Sequence, residues 1–193
     1  IHACFVIPPL FTNKIPIVTT IHDIGFIRFR DHYPVQMAWK LERALWRSVK
    51  YSSALVAVSE STRLDVLDYT KTEPEKIVTI YNGLESHFNR NNETSGHHEK
   101  LRSLGISKPF IVYAGKLEPR KNVTVLVNAY ERLKRDGLFE GQLVLVGSPA
   151  TFKFESTQSV IDRSEFKEDI IQTGYVPDDL LAVIYKQAQV LGF

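Results

Sequence analysis

The chain has 193 residues, 44% of them hydrophobic and 24% charged, with a formal net charge of +2. At roughly 150 residues per domain this allows one large domain or two small ones. Ordinary apolar and charged fractions exclude intrinsic disorder, collagen-like repeats and coiled coil as whole-chain descriptions. No apolar run approaches the ~18–20 residues of a membrane span, and the charge is too small to suggest nucleic acid by itself.

In chain order, Ile15 to Ile21 is β-branched and bounded by polar residues or Pro, and predicts a buried strand. A loop rich in Asp, Arg and Pro follows, from Asp23 to Pro34. Residues 37–50 have helical periodicity, with Ala38, Leu41, Leu45 and Val49 on one face and Lys40, Arg43, Arg47 and Lys50 on another. Ala54 to Val58 is a second strand, Ser59 a candidate N-cap for a helix through about Tyr69, and Lys76 to Ile80 a third strand closed by Asn82-Gly83. Residues 84–108 form a predicted linker, because most of the stretch is polar and rich in turn formers.

The β/α alternation then restarts. Phe110 to Ala114, Leu143 to Val146, Ile170 to Thr173 and Val190-Leu191 are strands. Asn122 to Arg135 is a helix ended by Gly137, and Asp178 caps another through about Gln187. Helices of this length between strands imply parallel sheets. The expected fold class is therefore α/β, with two doubly wound parallel-sheet units, residues 1–83 and 109–193. The sequence starts at Ile1 rather than Met and stops on a strand that nothing closes, so it reads as a piece of a longer chain. The single Cys4 cannot form an internal disulfide, which fits a reducing, cytoplasmic setting, and its apolar neighbours predict a small buried hydrophobe.

In open α/β sheets, ligands bind at the carboxyl ends of strands. Three features fall there. Tyr113 to Asn122 leaves a strand, turns through Gly115, places Lys116, Arg120 and Lys121 in a short loop and enters a helix. Cations beside a helix N-terminus suit a diphosphate, and a solvated loop is the plain alternative. His22 ends the strand at Ile21 and could contact a sugar or phosphate oxygen or move a proton, with Asp23 to orient it or another polar group. Taken alone, such a His is more often structural. Finally, Thr173 to Leu181 turns through Gly174, where backbone groups of Tyr175 and Val176 could meet the edge of a base.

Several ordered blocks resemble one family. Thr20 to Asp23, Val58 to Ser61, Lys76 to Gly83, Gly115 to Asn122, Leu145 to Gly147 and Gly174 to Leu180 are similar, in this order, to retaining glycosyltransferases of family 4 with the GT-B fold. The resemblance covers nearly the whole chain. It implies two partial Rossmann-like domains, an acceptor-side one ending near Gly83 and a nucleotide-sugar-binding one from about residue 109. It implies transfer of a sugar from a GDP- or UDP-sugar donor to a saccharide or lipid-linked acceptor hydroxyl, with retention, and with mannosyltransferase-like relatives. By resemblance, Gly115, Lys116, Arg120 and Lys121 contact the donor diphosphate. Gly147, Tyr175 and Val176 lie near the base and ribose, His22 lies near the donor sugar, and neither metal nor cofactor is required.

Departures accompany it. Many relatives carry Arg where this chain has Lys116, which replaces a bidentate fork by a point charge. The family's early glycine-rich loop and its later paired Glu residues are not in the sequence, so these residues alone are not expected to be catalytically competent. A non-catalytic nucleotide or phosphosugar-binding module is the alternative reading. The helix at 37–50 fits either a solvated outer face, the commoner case, or a basic surface that meets an anionic membrane. His87, His97 and His98 lack a ligand framework and count as loop residues. The sequons at Asn92 and Asn122 are treated as coincidences, and nucleic acid is not an expected partner.

Overall fold

The structure is a computed structural model. It describes residues 1–4, 15–84, 88, 97–149 and 155–193, the side chains of residues 97, 120, 155 and 156 excepted. The chain divides into two compact units, Ile1–Gly83 and Leu84–Phe193.

The first unit has a four-stranded parallel sheet: β1 (His2–Ala3), β2 (Val18–Ile21), β3 (Ala54–Ala57) and β4 (Ile77–Thr79), in spatial order 1-2-3-4. Between the strands run the short α1 (Gly25–Arg28), the long α2 (Val35–Tyr51) and α3 (Glu60–Thr70). Because each crossover steps the same way across the sheet, a constant hand puts these helices on one face. The packing agrees. Ile21, Leu55, Ala57 and Ile77 share a core with Phe26, Leu45, Val49 and Val66 from the helices. The alternate residues Thr20, Val56 and Val78 are half-buried or exposed, so the described helices cover one face of this sheet. Ser59 caps α3, its hydroxyl oxygen accepting from the Thr62 amide at 3.1 Å.

The second unit has β5 (Phe110–Ala114), β6 (Gln142–Val146), β7 (Ile170–Gly174) and β8 (Val190–Leu191), all parallel, in order 7-6-5-8. Its helices are α4 (His97–Ser103), α5 (Val123–Arg135), α6 (Glu155–Arg163) and α7 (Asp178–Gln187). Here the chain steps outward from β5 to β7, then jumps back past β5 to β8. Reversing the step reverses the face. Ile111, Tyr113, Leu143 and Leu145 pack with Val123, Val127, Tyr130 and Ile161 from α5 and α6. Phe110, Val112, Val144 and Val146 pack on the other side with Leu101, Ile106, Val183 and Ile184. The period-two alternation of strand residues thus feeds two cores. The strand order reverses at β5, and the end of β5 is the topological switch point where such sheets bind ligands.

Three expectations are corrected. Within the predicted linker 84–108, residues 97–103 are helical, because Leu101 and Ile106 supply a buried edge to the second core that the polar surroundings mask. Cys4 is exposed, since it lies just beyond the last paired residue of β1 rather than in the core. Asp178 does not cap α7. Pro177 occupies the N-cap, and Asp178 and Asp179 lie in the first turn, where their charge suits the helix dipole. Helix α6 and the pair β1 were not anticipated. Among the described residues, no helix is long and apolar enough to cross a membrane.

At the amino ends of the second unit's strands, Asp169 joins Lys134 of α5 at 3.0 Å and Lys108 at 2.6 Å. Burial pushes the Asp169 carboxyl up, but hydrogen bonds from Lys108 and Lys134 outweigh it and hold the group below the usual carboxylate range. With the folded value below the unfolded one, this stabilisation is complete above the ordinary carboxylate range. It disappears as pH falls through the folded value. Lys134→Met is expected to cost about 1–3 kcal/mol near neutral pH and to flatten the loss of stability on acidification. Urea unfolding at neutral pH and in strong acid checks this; an equal cost at both would contradict it.

Candidate functional site

Three glycines end three neighbouring strands of the second unit. Gly115 follows β5, Gly147 follows β6 and Gly174 closes β7. The Gly115 amide donates to the Val146 carbonyl at 2.9 Å, and the Gly147 amide to the Gly174 carbonyl at 2.8 Å. Gly147 has φ +133°, and a Cβ built there would stand 2.2 Å from the Gly115 carbonyl oxygen. Two backbones therefore meet where no side chain fits, leaving a bare shelf of main chain at the switch point. The β6–β7 register shift between Leu145 and Val146, which pairs Val146 with Gly174, aligns the last step of this row.

The loop that leaves the shelf is tightly fixed. Leu117 is buried, bridges to Pro149 and anchors the turn in the core. The Tyr113 hydroxyl donates to the Lys116 carbonyl at 3.0 Å, and the Lys121 amide to the Glu118 carbonyl at 2.9 Å. With their backbones held, the Lys116 and Lys121 side chains are exposed. The Lys121 ammonium lies 5.4 Å from the Phe193 ring centre. A single 3-10 turn, Pro119–Lys121, leads to Asn122 at φ +51°. That left-handed residue redirects the chain into α5, whose N-cap makes no side-chain hydrogen bond. The start of α5 thus presents amide N–H groups that Asn122 does not cap, beside two ammonium side chains. Such a combination suits an anion by charge and by hydrogen-bond donors.

The remaining expected residues of this unit are distributed as follows. Arg120 belongs to the 3-10 turn, and its side chain lies outside the described residues. Tyr175 is fully outward, at 77% exposure, whereas the Val176 side chain is buried in the second core. Any contact from Val176 to a ligand is therefore through its backbone.

In the first unit, His22 follows β2 directly. Its Nε2 lies 3.0 Å from the Cys4 carbonyl oxygen. A carbonyl only accepts, so Nε2 carries the proton, and in the neutral ring Nδ1 is the acceptor nitrogen. The His22 carbonyl accepts from the Thr62 hydroxyl at 3.2 Å, so both ring and backbone are positioned. Of the two roles expected for Asp23, the structure shows the second: its Oδ1 accepts from the Gly25 amide at 2.8 Å and shapes the turn into α1. A small hollow lined by Ile21, Phe26, Leu41, Leu45 and Ser48 adjoins His22 and Asp23.

Sequence reasoning did not identify Tyr113, Leu117, Asn122, Thr62 or the Cys4 carbonyl as site-shaping groups. A Tyr three residues before Lys116 carries no pattern of its own, and the left-handed Asn122 has only the known tolerance of Asn for that conformation as a signal. Of the three loop histidines, His87 lies outside the described residues. His98 is exposed on α4 and His97 is described only by its backbone. No group of three or more His, Cys, Asp or Glu placed to hold a metal occurs among the described residues.

A parallel α/β unit with a cationic loop at its switch point has the architecture of nucleotide- and phosphate-binding proteins. Residues 1–88 match the family described as Glycosyltransferase Family 4, and residues 98–193 match Glycosyl transferases group 1. The chain belongs to this glycosyltransferase family, and its fold is that of the GT-B enzymes. It is 24% identical over 172 residues to O-antigen chain mannosyltransferase B of Escherichia coli, covering 89% of this chain and 45% of that protein. It is also 24% identical over 186 residues to the serotype-specific mannosyltransferase WbdA of E. coli, covering 94% of this chain and 21% of the relative. The chain thus spans less than half the length of these relatives. Among solved structures it resembles Anabaena HepE in complex with UDP and glucose, with TM-score 0.74 and 16% identity over 92% of this chain and 46% of the other. It also resembles WaaG, a glycosyltransferase involved in lipopolysaccharide biosynthesis, with TM-score 0.66 and 18% identity over 93% and 50% of the two chains.

The shelf makes a stability prediction. Gly147→Ala drives a methyl group into the Gly115 backbone and should cost about 2–4 kcal/mol. Gly137, also at positive φ but with nothing within 4 Å of its built Cβ, should lose only about 1 kcal/mol as Gly137→Ala. Denaturant unfolding of both variants checks this; equal costs would refute the close approach.

Proposed function

We propose that the protein carrying this sequence transfers a hexose from a nucleoside diphosphate sugar to an acceptor hydroxyl, with retention of configuration. The observation that carries this reading is the glycine shelf at the end of β5, flanked by Lys116, Lys121 and the start of α5. A diphosphate laid along the shelf meets main chain without side-chain obstruction. The ammonium groups and the helix end face the phosphate oxygens. When the bond from the anomeric carbon to the diphosphate breaks, the electron pair leaves with the diphosphate, and these fixed positive groups stabilise the growing charge. The acceptor oxygen then bonds to the anomeric carbon from the same face, and its proton passes to the departing diphosphate oxygen. Lys116 acts as a point charge where an Arg would grip two oxygens, so its contribution is electrostatic rather than directional.

In this reading Gly115 and Gly147 allow close approach and Arg120 adds positive charge to the loop. The Tyr175–Val176 backbone adjoins the base, and His22 adjoins the sugar with its ring fixed by the Cys4 carbonyl. The positive charge comes from protein groups, and no metal or cofactor is invoked. The mannosyltransferase names of the E. coli relatives and the UDP and glucose of the Anabaena structure support a hexosyl nucleotide as donor. The acceptor is a saccharide or lipid-linked hydroxyl, and the reaction is placed in the cytoplasm.

Lys116→Ala combined with Lys121→Ala should weaken UDP or GDP binding about tenfold or more and lower kcat/KM for the donor about 100-fold. Calorimetric titration and donor kinetics, with the product anomer assigned by NMR, are the measurements. Near-normal turnover in the double variant would overturn the site assignment, and an inverted product would overturn the retention.

A further inference from the structure

Tyr113 lies on the face of β5 that feeds the core under α5 and α6, where it is buried in one cluster with Leu117, Val123 and Leu145. Phe fills such a space without a polar atom, and a hydroxyl in apolar surroundings costs free energy unless it is hydrogen-bonded. The ring carries its hydroxyl past the end of the strand, where it donates to the Lys116 carbonyl at 3.0 Å. The same carbonyl accepts from the Glu118 amide at 2.8 Å. A Cβ built on Gly115 would stand 3.0 Å from the Tyr113 hydroxyl oxygen and 3.4 Å from the ring carbon that bears it. One side chain therefore touches both residues of the turn that leaves the shelf.

A lysine stem keeps its own rotamers, and its ammonium is a point charge without the fork that locks an arginine on two oxygens. Such a group is aimed mainly from its root. The bond from Glu118 spans two residues of the loop and moves with the loop, whereas the bond from Tyr113 ties the loop to β5. On the other side of the same peptide, Leu117 is buried and its amide donates to the Ser148 carbonyl at 3.3 Å. The Lys116 stem thus leaves a held backbone although the side chain itself is exposed. Tyr130 supplies a matched reference. It belongs to the same core, and its hydroxyl donates to the Gly141 carbonyl at 3.0 Å. Gly141 precedes β6, so this bond lies at the amino end of the strands and the Tyr113 bond at the carboxyl end.

We propose that Tyr113 is a positioning residue for the donor diphosphate: its hydroxyl holds the Lys116 peptide and thereby directs the Lys116 ammonium to the phosphates. The ring serves the core and the hydroxyl serves the loop. Tyr113 touches no part of the donor and acts through Lys116, so the inference rests on the donor site proposed above. Removing the hydroxyl leaves the charge of the loop unchanged and loosens only its placement.

Calorimetric titration with UDP and with GDP tests this, using the tighter nucleotide for the variants. Tyr113→Phe should weaken binding about fivefold. Tyr130→Phe, which removes an equivalent buried hydrogen bond far from the shelf, should leave affinity within about twofold. In a Lys116→Ala background, adding Tyr113→Phe should cost less than about twofold more, because the two changes act on one interaction. Circular dichroism establishes that the variants remain folded. Amide hydrogen exchange of the nucleotide-free chain gives a second readout: Tyr113→Phe should speed exchange at Leu117 and Glu118 about tenfold and leave Val144 unchanged. Unchanged affinity in Tyr113→Phe, an equal loss in Tyr130→Phe, or the full fivefold loss in the Lys116→Ala background would each overturn the proposal. Undiminished binding on joint replacement of Lys116 and Lys121 by Ala would overturn the donor site and this inference with it. Unmoved exchange at Leu117 and Glu118 would overturn the inference alone.

Discussion

The contact between two backbones at Gly115 and Gly147 governs the second unit. A Cβ at Gly147 would occupy the space of the Gly115 carbonyl, so only glycine lets β5 and β6 end in register with their turns in contact. Once they do, the Gly147 amide reaches Gly174, and three strand ends become a continuous edge of main chain. Leu117 can then drop into the core and bridge to Pro149, which fixes where Lys116 leaves the turn. The left-handed Asn122 ends the 3-10 turn and begins α5 directly after the loop. Close packing and ligand access share one cause here: the absence of side chains that permits the approach also leaves the shelf bare.

Topology puts this edge at the switch point of the sheet. The order 7-6-5-8 reverses at β5, so α5 and α6 cover one face and α4 and α7 the other. The Gly115 loop leaves the carboxyl end of β5, where the two windings separate. The amino end of the same sheet holds the ion cluster of Asp169, Lys134 and Lys108. The ion cluster and the proposed ligand edge thus lie at opposite ends of the same strands. In the first unit the winding has one direction among the described residues, and His22 sits at the corresponding carboxyl end of β2, held by contacts with Cys4 and Thr62.

Much of the architecture was legible in the sequence because burial and period coincide. β5, β6 and β7 are short apolar runs, and α2 and α5 have strong amphipathic patterns, so strand and helix assignments fall within a few residues of the structure. Helix α4 was hidden because its seven residues are almost all polar and only Leu101 reaches the core. Asp178 is of a residue type that caps helices, but the backbone puts Pro177 at that position instead. The loop cations were readable as a cluster, whereas the shelf that makes them a site was not, since it depends on how close two strand ends come in space. The exposed Trp39 and Trp46 also escaped notice. Periodicity alone places tryptophan in a core as readily as on a surface, and only the packing of α2 shows which.

The central claim is that the bare edge at Gly115, Gly147 and the start of α5 receives the diphosphate of a nucleotide. Backbone amide resonances measured by NMR during titration with UDP and with GDP address it most directly. The account predicts saturable shifts concentrated at Gly115, Lys116, Gly147 and residues Val123–Thr124, with no comparable change around Asp169. Shifts centred elsewhere in the unit, with those amides unmoved at saturation, would contradict it.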